Sequence, residues 1–211
     1  MRAGTAARAV RLLAFVALFI GYTPIEARGP LSGEPHVAGV RLFYGPRVNL
    51  QDVDRTLIGS ARESIDIAAY ILTDRSVMDA LAAAARRGVK VRLFLDPDLP
   101  GGRPGPSLAA LQALARTPGL EARIKTGDEL MHLKAYQVDG RALRTGSANF
   151  SVSGGSRQEN DIVVIESRDV AGAFRREFDY LWTRPDTARY RPDAEVGRTP
   201  SPDAGRAKGR M

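Results

Sequence analysis

Hydrophobic positions change their period several times along the chain, and each change marks a boundary between elements. Val37–Tyr44 (VAGVRLFY) predicts a first strand, and Leu50–Ser60, with Val53, Leu57 and Ile58 along one side, predicts a helix. Ser64–Leu72 (SIDIAAYIL) and Val89–Asp96 (VKVRLFLD) are nearly continuous apolar runs, the pattern of strands covered on both faces. Between them a helix capped by Thr73 or Asp74 runs through MDALAAAARR and stops at Gly88. Strand, helix, Gly and strand in that order make a βαβ unit with a right-handed crossover.

Leu99–Pro106 is dense in Pro and Gly and predicts a loop, followed by a helix over Ser107–Arg116 and a strand over Leu120–Lys125. Leu130–Val138 and Ala142–Thr145 flank Asp139-Gly140, a strong hairpin signal. Asp161–Glu166 (DIVVIE) reads as a last buried strand and Val170–Trp182 as a closing amphipathic helix, with Phe174, Phe178 and Trp182 at core spacing. From Arg184 onward Pro, Arg, Asp and Gly dominate, so residues 184–211 are expected to form a disordered basic tail. The sum is one α/β domain over residues 28–183, with a mixed, largely parallel β-sheet and helices on both faces.

Residues 1–27 differ from the rest. Arg2, Arg8 and Arg11 precede an apolar run from Leu12 to Ile20, and Ala27 offers a small residue for cleavage. That is the layout of an export signal, which places the mature protein in the periplasm or outside the cell. The run is shorter than the roughly 20 residues of a comfortable membrane span. An uncleaved anchor over residues 12–22, with membrane association through the N-terminus, is the alternative.

Composition narrows the chemistry more than the class. Of 211 residues none is Cys, which excludes disulfides, thiol nucleophiles and Cys-ligated zinc. The net charge of +7 invites a nucleic-acid partner, but +2 of it falls in residues 1–27 and +3 in residues 184–211. The remainder is only mildly basic, so charge does not decide the partner.

One segment stands apart: Met131-His132-Leu133-Lys134 leading to Asp139-Gly140, and then Gly146-Ser147-Ala148-Asn149. The chain holds two His and, at positions 90, 125, 134 and 208, four Lys, so an imidazole and an ammonium two residues apart form an unusual pairing. On a strand both side chains point to one face. The hairpin folds the chain back and brings Asn149 beside them. A phosphodiester needs that set: a nucleophile, a cation and amide donors for the non-bridging oxygens, and an acid for the leaving group. His36 lacks a Lys two residues on and reads as a surface residue.

The pattern H-x-K-x4-D-x6-G-S-x-N, carried by His132, Lys134, Asp139, Gly146, Ser147 and Asn149, resembles the signature of the phospholipase D superfamily. Most members carry it twice; this chain carries it once and is similar to the single-motif branch, which includes small exported bacterial endonucleases. Mitochondrial-surface animal members usually add a Cys/His zinc element, which a chain without Cys lacks. The resemblance, spanning about Val40 to Leu181, implies the phospholipase D-like fold and a site shared across a homodimer. His132 of one copy would attack phosphorus and form a phosphohistidine, while the protonated His132 of the other would donate to the leaving oxygen and then activate water. Lys134 and Asn149 would hold the non-bridging oxygens, Ser147 would assist in binding substrate, and Glu159 (in RQENDIVVI) would orient His132. No metal or other cofactor is implied. Gly146 reads as structural, as does Asp139 from its place in the turn.

The expected function is a metal-independent, non-specific endonuclease acting on DNA, with RNA a further substrate. The alternative is a phospholipase D-type lipid phosphodiesterase, disfavoured because the 97–106 loop has one large apolar residue. A non-catalytic nucleic-acid or membrane-surface binder is the second alternative.

Overall fold

The computed structural model describes residues 39–97 and 105–192. The expected export signal or anchor, His36, the centre of the 97–106 loop and residues 193–211 lie outside the described residues. Among the described residues no helix is long and apolar enough to cross a membrane.

The elements follow the apolar pattern, with ends set by local hydrogen bonds. They are β1 (Val40–Tyr44), α1 (Leu50–Gly59), β2 (Ser64–Ala69), α2 (Arg75–Arg86), β3 (Lys90–Leu95), α3 (Pro106–Ala115), β4 (Leu120–Lys125), β5 (Lys134–Val138), β6 (Ala142–Gly146), α4 (Val152–Ser156), β7 (Asp161–Ile165), α5 (Arg168–Thr183) and β8 (Thr187–Arg189). Asn49 caps α1 through its side-chain oxygen, Asp74 rather than Thr73 caps α2, and Ser167 caps α5.

One sheet of eight strands runs in the order β1-β7-β6-β5-β2-β3-β4-β8. It is mixed, but the largely parallel sheet expected from the βαβ signal is not what forms. Only β2–β3 and β3–β4 pair in parallel, and the other five pairings are antiparallel. The reason lies in the connections: the parallel pairs need helices α2 and α3 to cross over, whereas the β5–β6 hairpin reverses direction within three residues. Helices α1, α2 and α3 cover one face over Ile65, Ile67, Val91, Leu93 and Tyr136, and α5 covers the other, stacking Phe178 and Trp182 on Ala68 and Phe94.

The boundary expected at residue 183 is also corrected. Residues 184–190 belong to the domain: β8 pairs antiparallel with β4 and Tyr190 is buried. Arg184 donates to Asp186, and the buried Lys125 ammonium donates to Glu129 and Asp186 at 3.0 and 3.2 Å. A three-residue strand of Thr, Ala and Arg has no hydrophobic period, so its order comes from long-range pairing that composition does not reveal.

The hairpin turn is anchored as well as tight. Asp139 and Gly140 take left-handed φ values of 53° and 58°, which short polar residues and Gly tolerate best. The Asp139 carboxylate accepts from the backbone N–H groups of Arg62, Glu63 and Ser64 at 2.8–3.2 Å, tying the turn to the start of β2. Burial alone would raise its carboxyl, but those three N–H groups, helped by Arg141, hold it below the ordinary aspartate value. A lowered pKa in the folded state gives stability that is present above the unfolded value, near 3.8, and lost as pH falls through the folded value. Asp139→Ala is expected to cost about 2 kcal/mol, read from urea unfolding at neutral pH. The gap from wild type should narrow below about pH 4; a gap that stays constant down to pH 2 would show that the ionised carboxylate is not what holds the turn.

Candidate active site

Strand direction brings the motif residues other than Asp139 to one end of the sheet. Ala69 at the end of β2 sits opposite Lys134 at the start of β5, and Gly146 at the end of β6 sits opposite Ile162 near the start of β7. Tyr44 at the end of β1 faces Asp161. The same end therefore gathers Tyr70, Asp96, His132, Lys134, the 146–149 loop and Glu159.

His132 lies just before β5 rather than on a regular strand, because the Met131 N–H turns aside to donate to Asp96 Oδ2 at 2.8 Å. Pairing continues only through Tyr70 N–H to the Leu133 carbonyl at 2.9 Å. His132 is exposed, and its ring packs 4.3 Å from the Tyr70 ring at a tilt of 57°. The Lys134 side chain is buried, with its ammonium 4.5 Å from the centre of the Tyr70 ring and donating to the His132 carbonyl at 2.9 Å. Burial lowers the Lys134 ammonium from the ordinary lysine value, with Asp96 pulling the other way. No carboxylate among the described residues pairs with it, and two of its three N–H donors have no protein partner there. A partly dehydrated cation with free donors beside an exposed imidazole is arranged to hold an anion next to a nucleophile.

The 146–149 loop completes this edge. Gly146 has φ 143°, and a Cβ there would meet the Asp161 carbonyl at 2.4 Å, so β6 can close against β7 only with glycine. Ser147 was expected to bind substrate, but its hydroxyl donates to Asp161 Oδ1 at 2.6 Å and accepts from Asp161 N–H at 2.9 Å. It clasps the loop to β7. Asn149 is half-buried, and its Oδ1 is buried without a hydrogen-bond partner. An unsatisfied buried amide oxygen is costly.

Glu159 does not meet His132. It is exposed, makes no hydrogen bond to His132, and lines a cleft of about 610 Å³ with Tyr44, Pro46, Arg47 and Asp161. The turn before β7 is held by Asn160, whose Nδ2 donates to the Gly154 carbonyl at 2.9 Å, and this leaves Glu159 facing outward. Tyr70 takes the place beside His132, a role that its position in an apolar run conceals. Asp54 and Arg144 were missed too. Both are buried, and Arg144 donates to the carbonyls of Lys134 and Ala148. The sequence sign of the pair is that Asp54 falls on the apolar face of α1 with Leu50, Leu57 and Ile58. Among the described residues no group of three or more His, Asp or Glu side chains is gathered as metal ligands are.

Comparison with known proteins agrees with this geometry. Residues 55–182 match the family described as "Cardiolipin synthase, PLD-like domain". The chain is 30% identical over 137 residues to a mitochondrial cardiolipin hydrolase of Xenopus laevis, covering 64% of this chain and 61% of that protein. It is 32% identical over 117 residues to a phospholipase D of Rickettsia prowazekii, covering 56% and 55%. The match thus spans about three fifths or less of these curated relatives. Among solved structures, the phospholipase D family member Nuc from Salmonella typhimurium superposes with a TM-score of 0.65 at 29% identity, covering 72% of this chain and 97% of that one. With His132, Lys134 and the 146–149 loop collected at one edge and the family match running through the whole motif, the chain belongs to the phospholipase D superfamily, as a single-motif member.

Proposed function

We propose that the protein is a phosphodiesterase that cleaves nucleic acid, with DNA the principal substrate, at a site completed by a second copy of the chain. The observation that carries this is the exposed His132 beside the buried ammonium of Lys134, which pairs with no carboxylate among the described residues. In the first step the His132 ring nitrogen bonds to phosphorus as the bond from phosphorus to the leaving oxygen breaks. The His132 of the second copy supplies the proton to that oxygen. In the second step it takes a proton from water, the water oxygen bonds to phosphorus, and the phosphohistidine bond breaks. Lys134 and Asn149 neutralise and hold the non-bridging oxygens. No step calls for a metal, since the ammonium and amides carry the charge.

The choice of polymer over lipid rests on what surrounds His132. At the same end of the sheet the cleft of Tyr44, Arg47, Glu159 and Asp161 is open, which leaves room for a backbone that continues past the scissile bond. Leu130 and Leu133 flank His132 and are 51% and 39% exposed. On the shared-site reading they face the second copy and are covered by it. The same leucines support a second reading, a lipid phosphodiesterase, in which they touch acyl chains. The N-terminal segment, as an export signal, would place the enzyme outside the cytoplasm.

Purified protein in excess EDTA, offered plasmid DNA in one reaction and phosphatidylcholine or cardiolipin vesicles in another, is expected to degrade the DNA, with His132→Ala inactive. Hydrolysis of vesicles alone would replace the nuclease reading with the lipid one. Loss of all activity in EDTA, restored by Mg²⁺ or Zn²⁺, would overturn the mechanism. Sharing of the site has its own measurement. Wild-type chains co-refolded with an equal amount of His132→Ala chains should keep about one quarter of the wild-type activity, because only wild-type homodimers are complete. About one half would mean that each chain works by itself.

A further inference from the structure

Arg144 is the largest fully buried side chain among the described residues, and its guanidinium makes four hydrogen bonds. Its Nε and Nη2 donate to the two oxygens of Asp54 at 2.8 and 3.0 Å, a two-pronged ion pair with α1. Its Nη1 donates to the Lys134 carbonyl at 2.8 Å and to the Ala148 carbonyl at 3.2 Å. One face lies 4.6 Å from the centre of the Phe150 ring. The Tyr136 hydroxyl donates to Asp54 Oδ1 at 3.0 Å, closing the far side.

The two carbonyls are the informative contacts. One belongs to the lysine of the motif, the other to the residue before Asn149. A flat, rigid guanidinium that bonds to both fixes the distance between the strand carrying the cation and the loop carrying the amide. For stability alone a buried ion pair is a poor device, since well-packed apolar residues often serve as well or better. Its fork geometry, however, is hard for apolar side chains to reproduce.

We infer that the Asp54–Arg144 pair is a positioning element that holds Lys134 and Asn149 at the spacing one phosphate group requires. This rests on the phosphodiester reading of the site. Neither residue touches substrate: both act through the backbone of the residues that do. A shift of about 1 Å between those two groups can cost on the order of 100-fold in rate.

The test uses two variants and two readouts. In Asp54→Leu/Arg144→Met/Tyr136→Phe the charges and the orphaned hydroxyl are removed while apolar volume is kept. Its thermal midpoint should stay near that of wild type, while kcat for bis(p-nitrophenyl) phosphate falls about 100-fold and kcat/KM falls with it. Arg144→Lys keeps charge and approximate length but loses the fork, and should lose at least about tenfold in kcat. The second readout is the NMR shift of the His132 ring on titration with inorganic phosphate, expected in wild type and weakened in both variants. If the triple variant folds and keeps wild-type kcat and phosphate response, the pair is only structural and the inference fails. If the triple variant does not fold, Arg144→Lys decides on the same criteria. Failure of the phosphodiester reading looks different: wild type itself would neither hydrolyse the diester nor respond to phosphate.

Discussion

Antiparallel pairing of β5 against β2 brings the start of one strand to the end of the other, and the site depends on that register. Ile65, Ile67 and Ala69 lie opposite Val138, Tyr136 and Lys134, so the alternation that buries the isoleucines and Tyr136 also sends Lys134 toward α1. A slip of one residue would turn both the lysine and Tyr136 to the α5 face. The hydrophobic core and the placement of the cation are therefore one constraint. The parallel strands β2 and β3 end at the same edge, where Tyr70 and Asp96 extend past the pairing to meet the segment before β5.

Two buried acids show how differently charge is used on the two faces of this sheet. On the α5 face Asp66 meets Arg92 at 2.6 Å and accepts from Gln137, and Arg92 reaches Asp179 on α5 at 2.7 Å. That network joins a helix to the sheet and stays away from the motif. On the opposite face Asp54 meets Arg144, and the remaining donors of the guanidinium turn to the backbone of the motif. Burial raises the Asp54 carboxyl, with Arg144 and Tyr136 working against the rise, and pushes the Tyr136 hydroxyl well above its ordinary value. The Tyr136 hydroxyl thereby keeps the proton it donates to Asp54, while Arg144 and Tyr136 favour the Asp54 carboxylate against the cost of its burial.

Much of this was legible in the sequence because it depends on local pattern. The βαβ unit followed from two apolar runs around an Ala-rich helix, and the hairpin from Asp139-Gly140. The pairing of His132 with Lys134 stood out because both residue types are scarce. What escaped depends on distant partners. The short strand β8 is ordered by pairing with β4 and by the Lys125–Asp186 bridge, neither visible in a polar tail. Helix α4 is five residues with two glycines, capped by Ser151, and carries no apolar period. Tyr70 sits in a run that reads as core, yet it leaves the core at the strand end and lies half-exposed under His132 and Lys134. The expected partnership of Glu159 with His132 came from resemblance rather than from any local signal, and here the turn before β7 directs that carboxylate outward.

Charge at the site edge also bears on why one motif would need a companion. A phosphodiester brings one negative charge, and attack by a neutral imidazole gathers more of it on the non-bridging oxygens as the phosphorus becomes five-coordinate. Against this, the described residues of one chain place Lys134 beside His132, and Asp96, Glu159 and Asp161 lie at the same end of the sheet. The Asn149 amide has a buried oxygen without a partner, and Leu130 and Leu133 stand exposed on either side of the nucleophile. A second copy related by a two-fold axis through this edge would add a second ammonium and a second imidazole and would cover both leucines. It would also exclude water from around Lys134, strengthening its attraction to the phosphate. On the shared-site reading, the exposed leucines would be the surface through which a second copy brings both.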